Sequence, residues 1–336
     1  MKAEEKIKVI LYGIGSIGQR TGKIAWSREN IQIVGAIDSD AAKVGQDLAE
    51  LLGFANQTGI QVSNDPQAVF KDTEASIALH TTTSFVEQVY PQLESMARAG
   101  LNVVSSTEEL LYPFYRHPEK SEKLDQLAKS KGVTILGTGV NPGFVMDTLA
   151  LVMSSVCAKV KKIKIKRVVD ASTRRLPLQK KVGAGLSADE FRTLVKQGKL
   201  GHIGLLESML LIAYGLKWEI EKIDENIDPM IADADYQTEY LQVKKGQVAG
   251  IKHTVGGYVK GEKGLDLDLR MYIGAKEPHD SVYIEGEPNI DMIVKNGVAG
   301  DIATASILVN SIPKVLRAEP GLKTMIDIPA IHNYAK

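Results

Sequence analysis

The stretch Val9–Ala25, VILYGIGSIGQRTGKIA, decides the fold of the first half of this chain. An apolar run typical of a buried strand stops at three glycines spaced G-x-G-x-x-G, and a helical pattern begins directly after them. Gly13 permits a tight turn, Gly15 lets the backbone approach a pyrophosphate, and Gly18 lets the helix pack closely on the strand. The stretch therefore predicts a strand–turn–helix unit that binds a dinucleotide.

The residues around these glycines favour NAD as the cofactor. The backbone N–H groups at Ser16 and Ile17, where the helix begins, would face the phosphates. Asp38 ends the second predicted strand, where a carboxylate accepts the hydroxyls of an adenosine ribose. A carboxylate there would also repel a 2′-phosphate, so NAD is the prediction. Ser39 is small and Lys43 is basic, which leaves binding of NADP open as well.

The composition is that of an ordinary globular protein. The 336-residue chain is 44% apolar and 24% charged. Lys plus Arg and Asp plus Glu each number 41, so the net charge is zero. A zero net charge gives no reason to expect binding to nucleic acid or to a membrane. The chain shows no apolar signal region and no run long enough to span a bilayer, so we expect a cytoplasmic protein. No set of residues has metal-ligand spacing, and we predict no metal site.

The single cysteine, Cys157, excludes a disulfide within one chain. Its apolar neighbours, LVMSSVCAKV, predict a packed core thiol.

Short β-rich runs alternate with helical patterns through the first 140 residues. Strands are predicted at Lys6–Tyr12, Ile31–Asp38, Gly59–Ser63, Ala75–Thr82, Leu101–Ser106 and Val133–Thr138. Helices are predicted at Ser16–Arg28, Ala41–Leu52, Phe85–Ala99 and Lys120–Lys131, with one more that begins at Asp65-Pro66. Because nearly continuous apolar strands are typical of burial on both faces, we predict a doubly wound parallel sheet, an N-terminal Rossmann domain.

The pattern changes after about residue 160. KIKIKRVVD alternates polar and apolar residues, as in a sheet with one solvated face. Ser187 and Glu190 are spaced as a capping box that begins a helix. The sequence from Tyr236 to Met292 is almost entirely typical of strands and turns. This half is therefore predicted to be an α+β domain with a mostly antiparallel sheet. A long helix follows, kinked or divided near Pro313.

Candidate site residues lie where the parallel strands end, because ligands of doubly wound sheets collect at the carboxyl ends of strands. They are Thr81, Thr82 and Thr83 after the fourth strand, Glu108 and Glu109 after the fifth, and Asn141 with Gly143 after the sixth. Each group also has a structural explanation. The hydroxyls could cap the following helix, the glutamates could sit at a helix N-terminus, and Asn-Pro-Gly is first a turn signal.

Several ordered segments resemble the 2,4-diaminopentanoate dehydrogenase family and the native amine dehydrogenases related to it. They are GIGSIGQ, GAIDSDAAKVGQDL, SSTEELLYP, GTGVNPGFVMD, RVVDASTRRLPLQKKVGAG and GHIGLLES. The resemblance implies an overall fold similar to dihydrodipicolinate reductase. It implies a dinucleotide-binding domain over 1–142, a substrate and dimerisation domain over 143–300, and a C-terminal segment over 301–336 that returns to the first domain. A homodimer is implied as well.

The resemblance also implies the reaction. It implies oxidative deamination of an amine carbon with NAD(P), and the reverse reductive amination of a ketone or aldehyde with ammonia. The catalytic carboxylate of the family lies in the motif that matches STEEL, which places it on Glu108, with Glu109 as the alternative. On chemical grounds, a carboxylate near the nicotinamide would take a proton from the amine nitrogen.

The amine itself is less well defined by the sequence. A diamine carries a second ammonium group, which must not be buried unpaired. Asp170 or Glu207 could accept it, and Arg174 or Lys180 could bind a carboxylate. The full set of candidate substrate residues is Phe144, Met146, Asp170, Thr173, His202 and Thr304. Because His202 adds a polar group to the motif GHIGLLES, 2,4-diaminopentanoate is favoured over a simple alkyl amine.

Two other functions stay open. One is a related NAD(P) oxidoreductase that acts on a hydroxyl or a cyclic imine. The reductases of the wider fold carry a paired histidine, a lysine and a serine-glycine-threonine loop, which this sequence does not contain. The other is a non-enzymatic dinucleotide sensor, which would need no catalytic glutamate.

Overall fold

The computed structural model describes residues 6–334. The chain forms two compact units. The first combines Met1–Gly143 with Ala299–Lys336, and the second is Phe144–Val298. The roles that the resemblance gives to the parts of the chain stay predictions.

The N-terminal part of the first unit alternates strands and helices. The elements are β1 (Ile7–Tyr12), α1 (Ser16–Trp26), β2 (Ile31–Ile37), α2 (Leu48–Leu52), β3 (Val62–Ser63), α3 (Pro66–Asp72), β4 (Ile77–His80), α4 (Val86–Arg98), β5 (Asn102–Ser105), a 3₁₀ turn (Glu108–Leu111), α5 (Pro118–Lys131) and β6 (Thr134–Gly137). Every residue of β4 and of β6 is buried, which explains their apolar sequences.

The second unit contains a six-stranded sheet with short helices. The elements are α6 (Thr148–Ser154), β7 (Lys159–Asp170), α7 (Leu176–Lys181), α8 (Ala188–Lys196), α9 (Leu205–Leu216), β8 (Lys222–Ile231), β9 (Tyr236–Gln237), β10 (Gln242–Val243), β11 (Val248–Val259), β12 (Glu262–Tyr272), β13 (His279–Glu287) and β14 (Ile290–Lys295). The sheet order is β14-β13-β7-β12-β11-β8, and β7–β12 is its one parallel pair. The predicted mostly antiparallel sheet is confirmed.

The chain then returns to the first unit through α10 (Gly300–Val315) and β15 (Gly321–Lys323). β15 pairs with β6, and the seven-stranded sheet has the order β15-β6-β5-β4-β1-β2-β3 with every pair parallel. The predicted doubly wound sheet is thus confirmed. The strand order reverses between β1 and β4, and the carboxyl ends of these two strands form the switch point at which such sheets bind ligands.

Two helices differ from the prediction. The helix predicted over Ala41–Leu52 is helical only from Leu48, because the Asp47 carboxylate caps α2 at Ala49 N and also accepts from Thr58 N. α10 continues through Pro313 to Val315 undivided. Pro313 has no N–H group to donate to the carbonyl of Val309, one turn earlier in the helix. That carbonyl accepts instead from the Tyr334 hydroxyl at 3.5 Å.

Cys157 is half-buried, and its Sγ donates to the Pro288 carbonyl at 3.3 Å, so the prediction of a core thiol is wrong. Among residues 6–334, no helix has both the length and the apolar composition needed to cross a bilayer. The same residues contain no group of three or more His, Cys, Asp or Glu side chains that could hold a metal ion.

Candidate active site

Two glycines of the loop between β1 and α1 are required by the fold itself. Gly13 has a φ of +91°, and a Cβ there would lie 2.7 Å from the carbonyl oxygen of Thr81, directly after the neighbouring strand β4. A Cβ on Gly18 would overlap the carbonyl oxygen of Gly13, because α1 crosses directly over the turn. These two glycines therefore explain the sharp turn and the close packing of the helix.

The middle glycine has no such reason within the protein. Gly15 has a φ of −75° in the extended region, and a Cβ built on it meets no atom within 4 Å. No side chain caps α1, and its first turn carries no acidic residue. Gly15 and Ser16 are exposed and Ile17 is half-buried. An uncapped helix N-terminus behind an open glycine fits the pyrophosphate of a dinucleotide.

Asp38, directly after β2, is engaged with its own loop. Its carboxylate accepts from Ile14 N at 2.7 Å, from Asp40 N at 2.9 Å and from Lys43 Nζ at 2.9 Å. Burial alone would raise the pKa of this carboxyl, but the hydrogen bonds from Asp40, Lys43 and Ile14 and the charge of Lys43 together lower it. The Asp38 carboxylate is therefore charged, and the ammonium group of Lys43 lies beside it. Ser39, the next residue, is exposed.

The three threonine hydroxyls after β4 all have partners in the protein. Thr81 Oγ1 donates to Gly13 O at 2.7 Å, Thr82 Oγ1 to Gln92 Oε1 at 2.9 Å, and Thr83 Oγ1 to Gln88 Oε1 at 2.8 Å. Thr81 therefore ties the end of β4 to the glycine loop, and the other two bind glutamine side chains of α4. A role in cofactor binding stays a prediction for all three.

The two adjacent glutamates have different surroundings. Glu109 Oε2 accepts from Val86 N, the first residue of α4, at 2.8 Å and from His117 Nε2 at 3.0 Å. The residue at the N-cap position, Phe85, offers no side-chain cap, so Glu109 supplies that cap from another element. Glu108 is half-buried and begins the 3₁₀ turn, which carries Glu109 back toward α4.

The turn after β6 is built on close backbone contacts. Asn141-Pro142 is a cis peptide, Gly143 has a φ of +126°, and a Cβ on Gly143 would overlap the backbone of Gly139. Thr304 of α10 accepts from Val140 N at 3.2 Å through its Oγ1. Thr304, predicted to contact substrate, thus holds this turn, and its contact with substrate stays a prediction.

The remaining candidate residues lie in the second unit. Phe144 is half-buried and Met146 is buried ahead of α6. Asp170 ends β7 and accepts from Ser172 N at 2.9 Å and from Ser172 Oγ at 2.6 Å, so it shapes the loop that carries the exposed Thr173. His202 is half-buried and precedes the start of α9.

Sequence reasoning missed the residue that supports the loop after β7. Gln179 is fully buried, and its amide donates to Ser172 O and Arg174 O and accepts from Thr238 Oγ1. It lies in the run RRLPLQKK, whose charges predict a solvated surface. His80, which is also fully buried, was missed as well, because a buried polar side chain leaves no periodic signal.

A doubly wound sheet with an open glycine loop at its switch point, together with a separate mixed sheet, defines a two-unit protein of the Rossmann type. The model of the dihydrodipicolinate reductase N-terminus matches residues 7–137. The model of the 2,4-diaminopentanoate dehydrogenase C-terminal domain matches residues 144–336. The chain belongs to the 2,4-diaminopentanoate dehydrogenase family and is an oxidoreductase.

Three relatives support this assignment. A 2,4-diaminopentanoate dehydrogenase of Acetoanaerobium sticklandii is 33% identical over 334 residues, which is 97% of this chain and 94% of the relative. An amine dehydrogenase of Streptomyces virginiae is 25% identical and covers 96% of each chain. The structure of an amine dehydrogenase from Mycobacterium smegmatis matches with a TM-score of 0.86, 26% identity and 98% coverage of both chains.

Proposed function

We propose that this chain is a nicotinamide-dinucleotide-dependent amine dehydrogenase, which oxidatively deaminates an amine carbon and runs the reverse reductive amination with ammonia. The names of its relatives support an amine as the substrate. The observation that carries the proposal is the different surroundings of two adjacent glutamates. Glu109 caps α4 and contacts His117, whereas Glu108 begins the 3₁₀ turn at the end of β5, where a catalytic carboxylate is expected.

Glu108 is the proposed base. An amine must lose its proton before hydride can leave its carbon, and a carboxylate near the nitrogen takes that proton. A bound nicotinamide supplies the hydride chemistry. Once that proton has passed to solvent, the Glu108 carboxylate stabilises the positive charge on the substrate iminium, deprotonates the water that attacks it and returns the proton to the departing ammonia. Gly13, Gly15 and the N-terminus of α1 hold the pyrophosphate.

Substituting the two glutamates separately tests this assignment. Glu108→Gln keeps the size of the side chain and removes the base, so we expect amine oxidation to fall at least 1,000-fold, at the upper part of the usual range for general-base removal of about 10²–10⁴. NADH should bind Glu108→Gln as it binds the unmutated chain. Glu109→Gln is the matched control, because its amide oxygen still accepts from Val86 N and His117, and we expect activity within about tenfold of normal.

The assay is absorbance at 340 nm with amines, alcohols and cyclic imines, together with NADH titration. Loss of activity in Glu109→Gln but not in Glu108→Gln would move the base to Glu109. Turnover of alcohols or cyclic imines alone would favour the related oxidoreductases, and NADH binding with no turnover would favour a dinucleotide sensor.

For the cofactor, we propose that NAD binds more tightly than NADP, with Asp38 as the cause. Lys43 lies 2.9 Å from that carboxylate and reduces its repulsion of a 2′-phosphate. We expect Asp38→Ala to narrow the difference in dissociation constant between NADH and NADPH, and Lys43→Met to widen it by weakening NADPH up to about fivefold. Fluorescence titration measures both, and equal constants in the unmutated chain would contradict the proposal.

For the substrate, we propose 2,4-diaminopentanoate, supported by the name of the relative that is 33% identical. The candidate contacts are those predicted from the sequence, with Asp170 or Glu207 for the second ammonium group. A much higher kcat/KM for simple alkyl amines than for 2,4-diaminopentanoate would contradict this choice and leave the amine dehydrogenase intact. The homodimer and the cytoplasmic location also stay proposals, and sedimentation checks the first.

A further inference from the structure

A chain of buried polar side chains crosses the carboxyl ends of β4 and β5. His80 ends β4 and Ser105 ends β5, and both are fully buried. Thr107, which precedes the 3₁₀ turn, is 1% exposed. Buried polar groups are costly unless they are hydrogen-bonded, so each of these residues needs a partner. Nothing in the predicted chemistry uses them.

The contacts form one continuous path. His80 Nε2 lies 2.7 Å from Gln92 Oε1 and 2.9 Å from Thr82 Oγ1. His80 Nδ1 lies 2.8 Å from Ser105 Oγ. Ser105 Oγ accepts from Thr107 N at 3.2 Å and donates to Thr107 Oγ1 at 3.0 Å. Burial lowers the pKa of His80 to about 4, so the imidazole stays neutral near pH 7.

The path ends on the loop after β4. Thr107 Oγ1 donates to the carbonyl oxygen of Thr83 at 2.8 Å. Thr83 is one of the three residues predicted to contact the cofactor, and Thr107 directly precedes Glu108. The Thr107 hydroxyl therefore joins the loop beside the predicted cofactor site to the turn that carries the proposed base, next to a backbone hydrogen bond from Glu109 N to Ser84 O at 3.1 Å.

We propose that Thr107 is a positioning residue, which fixes the Glu108 turn against the Thr83 loop and is itself held by Ser105 and His80. The proposal rests on the proposed function, in which Glu108 is the base. Fully satisfied buried networks specify one geometry where apolar packing would allow several. Thr107 touches neither substrate nor cofactor in this role, and it acts through the placement of Glu108.

Thr107→Val and Thr107→Ser form a matched pair for the test. Valine has the shape of threonine without the hydroxyl, and serine keeps the hydroxyl. Because small displacements of a catalytic group cost up to about 100-fold in rate, we expect Thr107→Val to lower kcat by roughly 10- to 100-fold. Thr107→Ser should restore kcat to within about threefold, both variants should bind NADH, and Thr107→Val should lose about 1–3 kcal/mol of stability because the Thr83 carbonyl loses its donor.

Amide hydrogen exchange across residues 108–111 gives a second readout that is independent of turnover. We expect faster exchange there in Thr107→Val and normal exchange in Thr107→Ser, since only valine removes the hydroxyl that holds the start of the turn to Thr83 O. If Thr107→Val folds poorly, Ser105→Ala removes the neighbouring link and should show the same loss of kcat.

Three results would overturn the inference. One is a kcat of Thr107→Val within twofold of normal with unchanged exchange in the turn. Another is a loss of kcat that is equal in the valine and serine variants. The third is a fall in NADH affinity and unfolding temperature that accounts for the whole loss. If the unmutated chain binds NADH but oxidises no amine, the proposed function fails. Hydrogen exchange across residues 108–111 then decides by itself whether Thr107 fixes the turn.

Discussion

At the residue scale, three glycines of one motif have three different reasons to be glycine. Gly13 needs a positive φ, and Gly18 needs the absence of a side chain where α1 passes over the turn. Gly15 has neither constraint, since its backbone is extended and the space above it is open. The structure thus separates the glycines that fold the loop from the one that a ligand would require.

This separation predicts opposite effects of two similar substitutions. Gly18→Ala places a methyl group on the Gly13 carbonyl and should lower the free energy of unfolding by about 3 kcal/mol or more. Gly15→Ala should change it by less than about 1 kcal/mol, yet weaken NADH binding at least tenfold, because the methyl group lies where the pyrophosphate would approach. Urea unfolding and NADH titration of both variants check this, and normal NADH affinity in Gly15→Ala would remove the argument for the loop.

Much of the candidate site could be predicted from the sequence, because the glycine spacing, Asp38 and the glutamate pair follow strands in fixed order. The difference between Glu108 and Glu109 could not. It depends on Val86 N and His117, which reach Glu109 only after β5, α4 and the loop before α5 have packed. Contacts of this kind have no local pattern in a single sequence.

At the scale of elements, the apolar strands of the parallel sheet were predictable and the short helix α2 was not. β4 and β6 are buried at every residue, and most residues of β1, β2 and β5 are buried as well. The amphipathic sequence from Ala41 predicts a helix about three turns long. In the structure Asp47 binds Thr58 and caps a helix that begins only at Leu48. A side chain that hydrogen-bonds to a distant backbone outweighed local propensity here.

The junction of β4 and β5 also predicts a pH dependence of stability. His80 has a folded-state pKa lowered to about 4 by burial, against about 6.5 in an unfolded chain. Between these values the unfolded chain binds a proton that the folded chain does not, so stability is complete above pH 6.5 and is lost as the pH falls toward 4. Between pH 7 and pH 5 the loss from this group should be about 2 kcal/mol.

Urea unfolding at the two pH values measures this loss. In His80→Asn the contribution disappears, so the variant should lose about 2 kcal/mol less than the unmutated chain over the same interval. Equal losses in the two proteins would show that His80 is not held neutral in the folded state.

At the scale of the whole molecule, the first unit is built from two distant parts of the chain. Residues before 144 supply six strands of the parallel sheet, and residues after 298 supply the seventh strand and α10. α10 packs against α1, β4, β5 and β6. The buried pair Arg167–Asp280, at 2.6 Å, also binds the backbone of Val298, so the second unit fixes the point from which the chain returns.

The discontinuity predicts that the first unit cannot fold from its N-terminal part alone. α10 buries five large or medium apolar side chains, Ala305, Leu308, Val309, Ile312 and Val315. At about 1.5–3 kcal/mol for each of the four larger ones, their loss removes roughly 6–12 kcal/mol, which is comparable to the total stability of a typical domain. We expect a fragment of residues 1–143 to lack cooperative unfolding and NADH binding.

The matched chain joins residue 143 to residue 299 through a linker of about ten Gly and Ser residues. Val140 N and Thr304 Oγ1 lie 3.2 Å apart, and these residues are three and five positions from the two ends to be joined, so a linker of ten residues at roughly 3.3 Å each can span the gap. This chain should unfold cooperatively in urea and bind NADH within about tenfold of the full-length protein, since the glycine loop and Asp38 lie in the first unit. It should oxidise no amine, because the candidate residues Phe144, Asp170 and His202 are missing. Cooperative unfolding and normal NADH binding by residues 1–143 alone would show that α10 and β15 are additions to a complete domain rather than parts of it.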